Sequence, residues 1–304
     1  LWRIRAQNTL LATGALERPL VFSNNDRPGV MLASAASTYL HRFAVCPADR
    51  AIVFTNNDSA YETALHLHDA GVHVGPLVDV REVVTSALSD AVKARGIEVL
   101  TGHAVVEASG GTHLHGVKLM ARRGADVAGP IRFERCDLLA VSGGWNPAVH
   151  LHSHLGGKLC FDDVLHTFVP AGPIDGVCSI GAAAGCFALS QCLSDGASAG
   201  MGRPLGNRHS TQKEETEAET GRQGTPLEPL WLVPGPRPSE EAPKQFVDFQ
   251  NDTSAADLAL AVREGYRSIE HVKRYTALGF GTDQGKLGNI NGLGIVAQVL
   301  AVSP

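Results

Sequence analysis

Arg50-Ala-Ile-Val-Phe-Thr-Asn-Asn-Asp-Ser-Ala-Tyr-Glu-Thr-Ala-Leu-His-Leu-His-Asp-Ala-Gly-Val-His-Val-Gly-Pro-Leu-Val-Asp-Val80 reads as strand, turn, helix, glycine and strand. Residues 51–55 are apolar and end in a turn. Ser59 with Glu62 makes a capping-box pair, and Ala60, Ala64 and Leu67 line one helix face. Gly71 suits the left-handed residue that closes a helix, and residues 72–80 form the second strand. The unit is βαβ, which sets the fold class as α/β with a parallel sheet.

Working outward, residues 85–95 predict a helix closed by Gly96, followed by a strand at 97–100. Alternation around Val105, 117–120 and 131–133 predicts an antiparallel excursion, and 136–141 a buried strand ending at Ser142-Gly-Gly. Upstream, residues 3–11 alternate and then turn apolar, predicting a strand that stops at Ala12-Thr13-Gly14; residues 30–43 read as a helix. Downstream, residues 177–181 read as a short strand and 182–193 as a helix. From 203 to 244 the composition shifts to Gly, Pro, Ser, Thr and Glu, which predicts a linker, mostly disordered, with Trp231-Leu-Val as a docking exception. Beyond it, Thr253 or Ser254 caps a helix to about Glu264, Ser268 caps a second ending at Gly279, and a last helix follows Asn289.

The chain has 304 residues, enough for two domains, and a formal net charge of −5 with scattered Lys and Arg. No basic stripe suggests nucleic acid, and no apolar run suggests a membrane span or secretory signal. Six cysteines without a Cys-x-x-Cys pair suit reduced thiols in a cytoplasmic protein. Leu1 opens on what reads as the middle of a strand pair, so an internal fragment is expected, with a Gly-rich strand-turn-helix encoded before it.

A nucleotide-binding βαβ unit uses three glycines at its turn. Here those places hold Thr55, Asn57 and Ala60, and Asp58 sets a carboxylate where phosphates would lie while capping the helix, so a fold retained without nucleotide is the favoured reading. Asp79, at the end of the second strand, stands where a ribose-binding acid sits and is kept as a minor candidate. Gly181-Ala182-Ala183-Ala184-Gly185 is more promising, because small residues after a strand let backbone amides reach phosphate or ribose oxygens; tight packing alone is the competing reading. The loop Gly281-Thr282-Asp283-Gln284-Gly285-Lys286 is not a Walker A motif, since the glycine spacing is short and Leu287 stands where Ser or Thr is required. It offers amides, a hydroxyl and a cation to an anion, with Arg274 as a second cation; a loop that docks only protein is the alternative. His150, His152 and His154 alternate but no carboxylate or thiolate completes a metal set, and the His66/His68 and His113/His115 pairs offer less. No metal site and no catalytic triad is expected.

Three stretches carry a family resemblance: the run from Phe246-Val-Asp-Phe-Gln-Asn-Asp-Thr-Ser through Lys286, residues 11–30 (Leu-Ala-Thr-Gly-Ala-Leu-Glu-Arg-Pro and onward to Gly29-Val30), and Leu139-Ala-Val-Ser-Gly-Gly-Trp-Asn-Pro-Ala148. They resemble the alpha subunit of heterotetrameric sarcosine oxidase, over most of the chain outside the linker. The resemblance implies two dinucleotide domains of the Rossmann-like, flavoprotein-reductase type: residues 1–29 with 149–202 as the carboxyl part of the first, 30–148 as an inserted second, 203–244 as linker, and 245–304 as a small helical domain. It implies oxidative demethylation of sarcosine to glycine with oxygen as acceptor and transfer of the one-carbon unit to tetrahydrofolate in a carboxyl-terminal domain outside these residues. It also implies beta, gamma and delta partner subunits.

The same resemblance assigns NAD to Thr13, Gly14, Gly181, Ala182, Ala183, Ala184 and Leu189. It assigns the phosphate of FMN, at the contact with the beta subunit, to Thr282, Gln284, Gly285, Lys286 and Arg274, and FAD to the beta subunit. Flavoprotein reductases commonly carry Asp where Ala182 stands, and its loss argues against FAD at that turn. Iron-sulfur relatives place a [2Fe-2S] cluster on four cysteines in a ferredoxin-like domain; the matching positions are Asp248, Gln250, Asp283 and Gly288, so no cluster is expected. No catalytic residue is assigned, and the fragment alone is expected to be inactive. The alternatives are a subunit of a related FAD/NAD-dependent amino-acid or opine dehydrogenase, and a non-catalytic assembly scaffold.

Overall fold

The computed structural model describes residues 2–172, 174–202 and 224–303. They fall into two compact units, one from residues 2–16 with 145–202 outside Pro173, the other from 17–144 with 224–303. The expected linker splits accordingly: 203–223 lie outside the described residues, whereas 224–244 belong to the larger unit.

The larger unit is built on a five-stranded parallel sheet in the order Val30–Leu32, Leu138–Ser142, Arg50–Thr55, His73–Asp79, Val99–Thr101. Alternate residues of each strand serve opposite faces. Ile52, Phe54, Leu139 and Val141 point into a layer shared with the antiparallel sheet His103–Gly110, Leu114–Arg123, Asp126–Arg135. Ala51, Val53, Leu138 and Ala140 face helices Ala33–Phe43, Ser59–Asp69 and Ala87–Ala94. Pro76 lacks an amide hydrogen, and the ladder between Arg50–Thr55 and His73–Asp79 shifts register between Ala51 and Val53, where the partner strand passes through Gly75-Pro76.

Residues 30–32 are a strand and not the start of a helix: Val30, Met31 and Leu32 pair with Leu139, Ala140 and Val141, and tertiary pairing overrides the small-residue pattern. The capping box at Ser59/Glu62 does not form. Asn57 Oδ1 instead accepts from the Ser59 amide at 3.1 Å and its hydroxyl at 2.6 Å.

The carboxyl part of this unit has a short pair, Phe246–Asp248 with Thr253–Ser254, and helices Ala255–Arg263, Ile269–Thr276 and Asn289–Leu300. Ser254 and Asp257 form a reciprocal capping box. Residues 224–244 pack as well: Trp231 is 5% exposed, Leu230 and Val233 join the sheet core, and the Val233 amide donates to Val21 O at 2.8 Å.

In the smaller unit Thr9–Leu11 pairs in parallel with Val177–Ser179, and Lys158–Asp162 forms a hairpin with Thr167–Ala171. The long strand expected from residue 3 shrinks to three residues. Trp2 and Ile4 are 93% and 85% exposed, and among the described residues no strand pairs with them. The helix expected from Ala182 is interrupted: Gly181–Ala184 is one tight turn, Gly185 at φ +79° ends it, and the helix proper is Leu189–Gly200.

Candidate functional site

In open α/β sheets ligands bind at the carboxyl ends of parallel strands, and each unit has such an edge. In the larger unit this edge is filled by the protein. Asn57 Nδ2 donates to Ser142 Oγ at 3.0 Å, bridging the ends of two adjacent strands. Asp79, fully buried, accepts from Arg81 Nε at 3.0 Å, Arg81 Nη2 at 2.7 Å and the Tyr61 hydroxyl at 2.9 Å. Burial, together with the Asp79 charge, pushes the Tyr61 hydroxyl well up and keeps it a donor. Asp58, read from sequence as a helix cap, makes no such bond and pairs with Arg81 Nη2 at 2.7 Å. Burial alone would weaken the charged form of Arg81, but the two carboxylates outweigh it and hold its pKa above the ordinary value.

Residues 224–233 close over this network. Arg81 Nη1 donates to Thr225 O at 2.8 Å, the Thr225 amide to Asp58 Oδ2 at 3.2 Å, Asn56 Nδ2 to Glu228 O at 2.9 Å, and Arg122 Nη1 to Glu228 Oε1 at 2.6 Å. The N-terminus of helix Ala33–Phe43 is likewise met internally, the Ser34 amide donating to Glu17 Oε2 at 2.7 Å. Burial raises the Glu17 carboxyl despite its bonds to Ser142 and Ser34. The oxygens of Asp79 that a ribose would need are already engaged. Sequence reasoning named Asp58 and Asp79 but missed Arg81, the cation that joins them; it stands two residues beyond Asp79, after the strand has ended.

In the smaller unit the edge is made of small residues. Strands Thr9–Leu11 and Val177–Ser179 end side by side, the Ile180 amide donating to Leu11 O at 3.0 Å. This brings Thr13 and Gly14 to the same edge as the turn Gly181–Ala184. Gly14 and Gly181 adopt φ +75° and +62°, which glycine reaches without strain. The Thr13 hydroxyl donates to Ala148 O at 2.8 Å, and no Cβ would meet an obstacle at Gly14. Ala183 is buried, whereas Leu189, in the first turn of the following helix, is 74% exposed.

The carboxyl helical group holds the remaining candidates. At Asp248, Gln250 and Asp283, where the resemblance leads one to expect the positions of cluster cysteines, stands a hydrogen-bonded network. Asp248 accepts from the amides of Gln250 and Gly279, each at 2.8 Å, and of Asn251 at 3.3 Å; Gln250 Oε1 accepts from the Asp283 amide at 3.3 Å. Burial would raise the Asp248 carboxyl, but the bonds from Gly279, Gln250 and Asn251 prevail and hold it below its ordinary value. A Cβ at Gly288 would press on Val247 O, so the glycine is sterically required.

The 281–286 loop was expected to aim its amides outward. Instead the Gly285 amide donates to Asp283 Oδ1 at 3.0 Å, the Gln284 amide to Gly281 O at 3.0 Å, and the Lys286 amide to Asp283 O at 3.3 Å. Its outward chemistry lies in the exposed side chains of Thr282, Gln284 and Lys286; Arg274 is exposed on the preceding helix.

No group of three or more metal-ligating side chains exists among the described residues. His150–His154 is a short helix and not a strand, so its histidines do not share one strand face. His152 is buried, with Nε2 3.2 Å from Lys158 O. His113 and His115 place their Nε2 atoms 3.1 Å apart with no third ligand. No helix among the described residues is long and apolar enough to cross a membrane.

A model of the sarcosine oxidase A3 domain matches residues 242–303, the segment that carries the Asp248 network. The chain is 39% identical over 308 residues to sarcosine oxidase subunit alpha of Corynebacterium sp. (strain P-1), covering 99% of this chain and 31% of that protein. It is 40% identical over 311 residues to the same subunit of Rhizobium meliloti (strain 1021), covering 100% and 29%. The chain belongs to the sarcosine oxidase alpha-subunit family. It spans just under a third of the length of these relatives.

Among solved structures, L-proline dehydrogenase from P. horikoshii aligns with a TM-score of 0.63 at 19% identity, over 98% of this chain and 54% of that one. Thioredoxin reductase from T. acidophilum aligns at 0.51 and 19%, over 64% of each chain. At this identity the likeness concerns fold: the sarcosine oxidase alpha chain shares the mixed α/β, Rossmann-like architecture of these oxidoreductases.

Proposed function

We propose that this chain is the nucleotide-holding part of an oxidoreductase subunit that supports oxidative demethylation of sarcosine, with NAD seated at the edge formed by Thr13, Gly14, Gly181, Ala182, Ala183, Ala184 and Leu189. The observation that carries this reading is the meeting of two parallel strand ends, each followed by a glycine at positive φ. Bound there, NAD would supply a nicotinamide ring and a pyrophosphate. The chain's own part is to let backbone approach the phosphates, and the Thr13 hydroxyl, whose proton goes to Ala148 O, is left to accept from a ribose hydroxyl.

On the same reading the exposed side chains of Thr282, Gln284, Lys286 and Arg274 face the phosphate of FMN at the contact with the beta subunit, the buried Gly285 amide being held by Asp283, and FAD lies on that beta subunit. Gamma and delta subunits complete the cytoplasmic assembly, and tetrahydrofolate receives the one-carbon unit in another domain. Among alternatives, the sealed edge of the five-stranded sheet favours a scaffold role for that sheet alone, since Arg81, Asp58, Asp79 and residues 224–233 occupy its nucleotide position.

Mass spectrometry of cofactors released from the complex containing the full-length subunit tests the assignment. One NAD and one FMN per alpha chain is the expected result. Neither cofactor, or FAD in place of NAD on this subunit, would overturn it.

A further inference from the structure

Two thiols meet where the Gly181–Ala184 turn leads into its helix. Cys186 lies in the connection just after Gly185, and Cys192 in the first turns of Leu189–Gly200. Their sulfurs are 4.0 Å apart, and Cys192 Sγ donates to Cys186 O at 3.2 Å. Both are half-buried. Each is also tied to Gly181: the Cys186 amide donates to Gly181 O at 3.1 Å, and a Cβ on Gly181 would sit 3.7 Å from Cys192 Sγ.

We propose that Cys186 and Cys192 form a reversible disulfide, a thiol-oxidation site that takes low-molecular-weight disulfides as its oxidant. Bonding requires the sulfurs to close by about 2 Å, to the roughly 2.05 Å of a disulfide. One partner sits in a non-helical connection next to a glycine, where side-chain rotation and a small backbone shift supply the movement. In the step, one cysteine thiolate attacks the small disulfide and expels one thiolate. The second cysteine thiolate then displaces the other half from the mixed disulfide. The two cysteines lose two protons and two electrons in all, and one small disulfide is reduced to two thiols.

Because Cys186 is hydrogen-bonded to Gly181 and Cys192 lies on the side of Gly181 where a side chain would project, closing the bond reshapes the turn, and a nucleotide seated there opposes it. That coupling rests on the NAD reading; the dithiol does not.

The test treats the full-length subunit with oxidised glutathione, blocks remaining thiols with a light alkylating reagent, reduces, and labels the released thiols with a heavy one. Arg203 is followed by Pro204 and resists trypsin, so residues 159–208 form one tryptic peptide holding Cys160, Cys178, Cys186 and Cys192, and fragmentation reads all four together. Heavy label on Cys186 and Cys192 in the same molecules, with Cys160 and Cys178 light, is expected. In Cys192→Ser, Cys186 should instead accumulate as the glutathione adduct. If both stay light at a concentration that caps the exposed Cys46, or each is found only as a separate glutathione adduct in the parent protein, the proposal fails. Saturating NAD should slow oxidation several-fold. Disulfide formation at the same rate with and without NAD would keep the dithiol and count against the nucleotide reading of the turn.

Discussion

Arg81 is the residue on which the sealed edge depends. Its side chain is 3% exposed and pairs with Asp79 and Asp58, themselves 0% and 20% exposed. Removing one member of a buried ionic group costs about 3–5 kcal/mol, because the others stay charged without compensation. Arg81→Met should therefore lower unfolding stability by about that amount in urea titrations, whereas truncating Arg132, which pairs with Glu98 at the surface, should cost about 0–1 kcal/mol.

Lys286 gives a second prediction for a single side chain. In the assembled enzyme Lys286→Ala should weaken FMN retention by about 1.5–3 kcal/mol, as for a lost charge-assisted hydrogen bond, with NAD content unchanged. Parent-level FMN occupancy, or joint loss of NAD, would contradict its role.

Asp248 gives a pH dependence. Its carboxyl is held below the ordinary value of a carboxylate, so the stability it contributes is full above about pH 4, the unfolded-state value, and is lost as pH falls through the folded-state value. Asp248→Asn should remove that acid-labile part, flattening the stability profile below pH 4 and lowering stability at neutral pH by about 1–3 kcal/mol. An unchanged acid profile would mean that the carboxylate contributes nothing there.

At the scale of elements, the parallel sheet was legible because its signals are local. The apolar run at 51–55, the helix face of Ala60, Ala64 and Leu67, and Gly71 all sit within one βαβ unit. The antiparallel excursion was legible from alternation. The strand at Val30–Leu32 was not, since its partner lies more than a hundred residues away at Leu139–Val141. The packing of residues 224–244 was hidden for a related reason: a Gly- and Pro-rich composition reports a lack of local structure and not a lack of partners. Of the candidate sites, the small-residue edge was readable from Thr13-Gly14 and residues 181–185, whereas the closing of the other edge depended on Arg81 and Glu228, which no motif marks.

Trp231 shows what that segment does. It lies over the Arg18 guanidinium at 4.9 Å and against Gly294, where a Cβ would collide with the indole ring. Gly294→Ala should destabilise the larger unit by about 1–3 kcal/mol through overpacking. Combined with Trp231→Leu the two costs should fall well short of additive, as expected for residues in contact. Full additivity in a double-mutant cycle would show that helix Asn289–Leu300 and the segment are not packed as described.

For the whole molecule, Arg81 and residues 224–233 close one strand edge, and the proposed nucleotide edge is the other, at Thr13-Gly14 and Gly181–Ala184. The break between units falls at Leu16/Glu17 and Gly144/Trp145, whereas sequence reading set the domain limits at 29/30 and 148/149. The stretch 17–29 carries Glu17, Arg18 and Phe22, all buried in the larger unit, which explains the earlier break. On the open edge, Ala182→Asp should not confer FAD binding, because a single ribitol hydrogen bond of about 1 kcal/mol is small beside the rest of a flavin pocket. Stoichiometric FAD in the variant subunit would contradict this.

The most direct test is a crystal structure of the full-length subunit with NAD. The dinucleotide is expected along Thr13-Gly14 and Gly181–Ala184, with its phosphates against that turn and the Arg81 network with residues 224–233 undisturbed. A dinucleotide lying instead at Asn56–Ser59, with that segment displaced, would contradict that expectation.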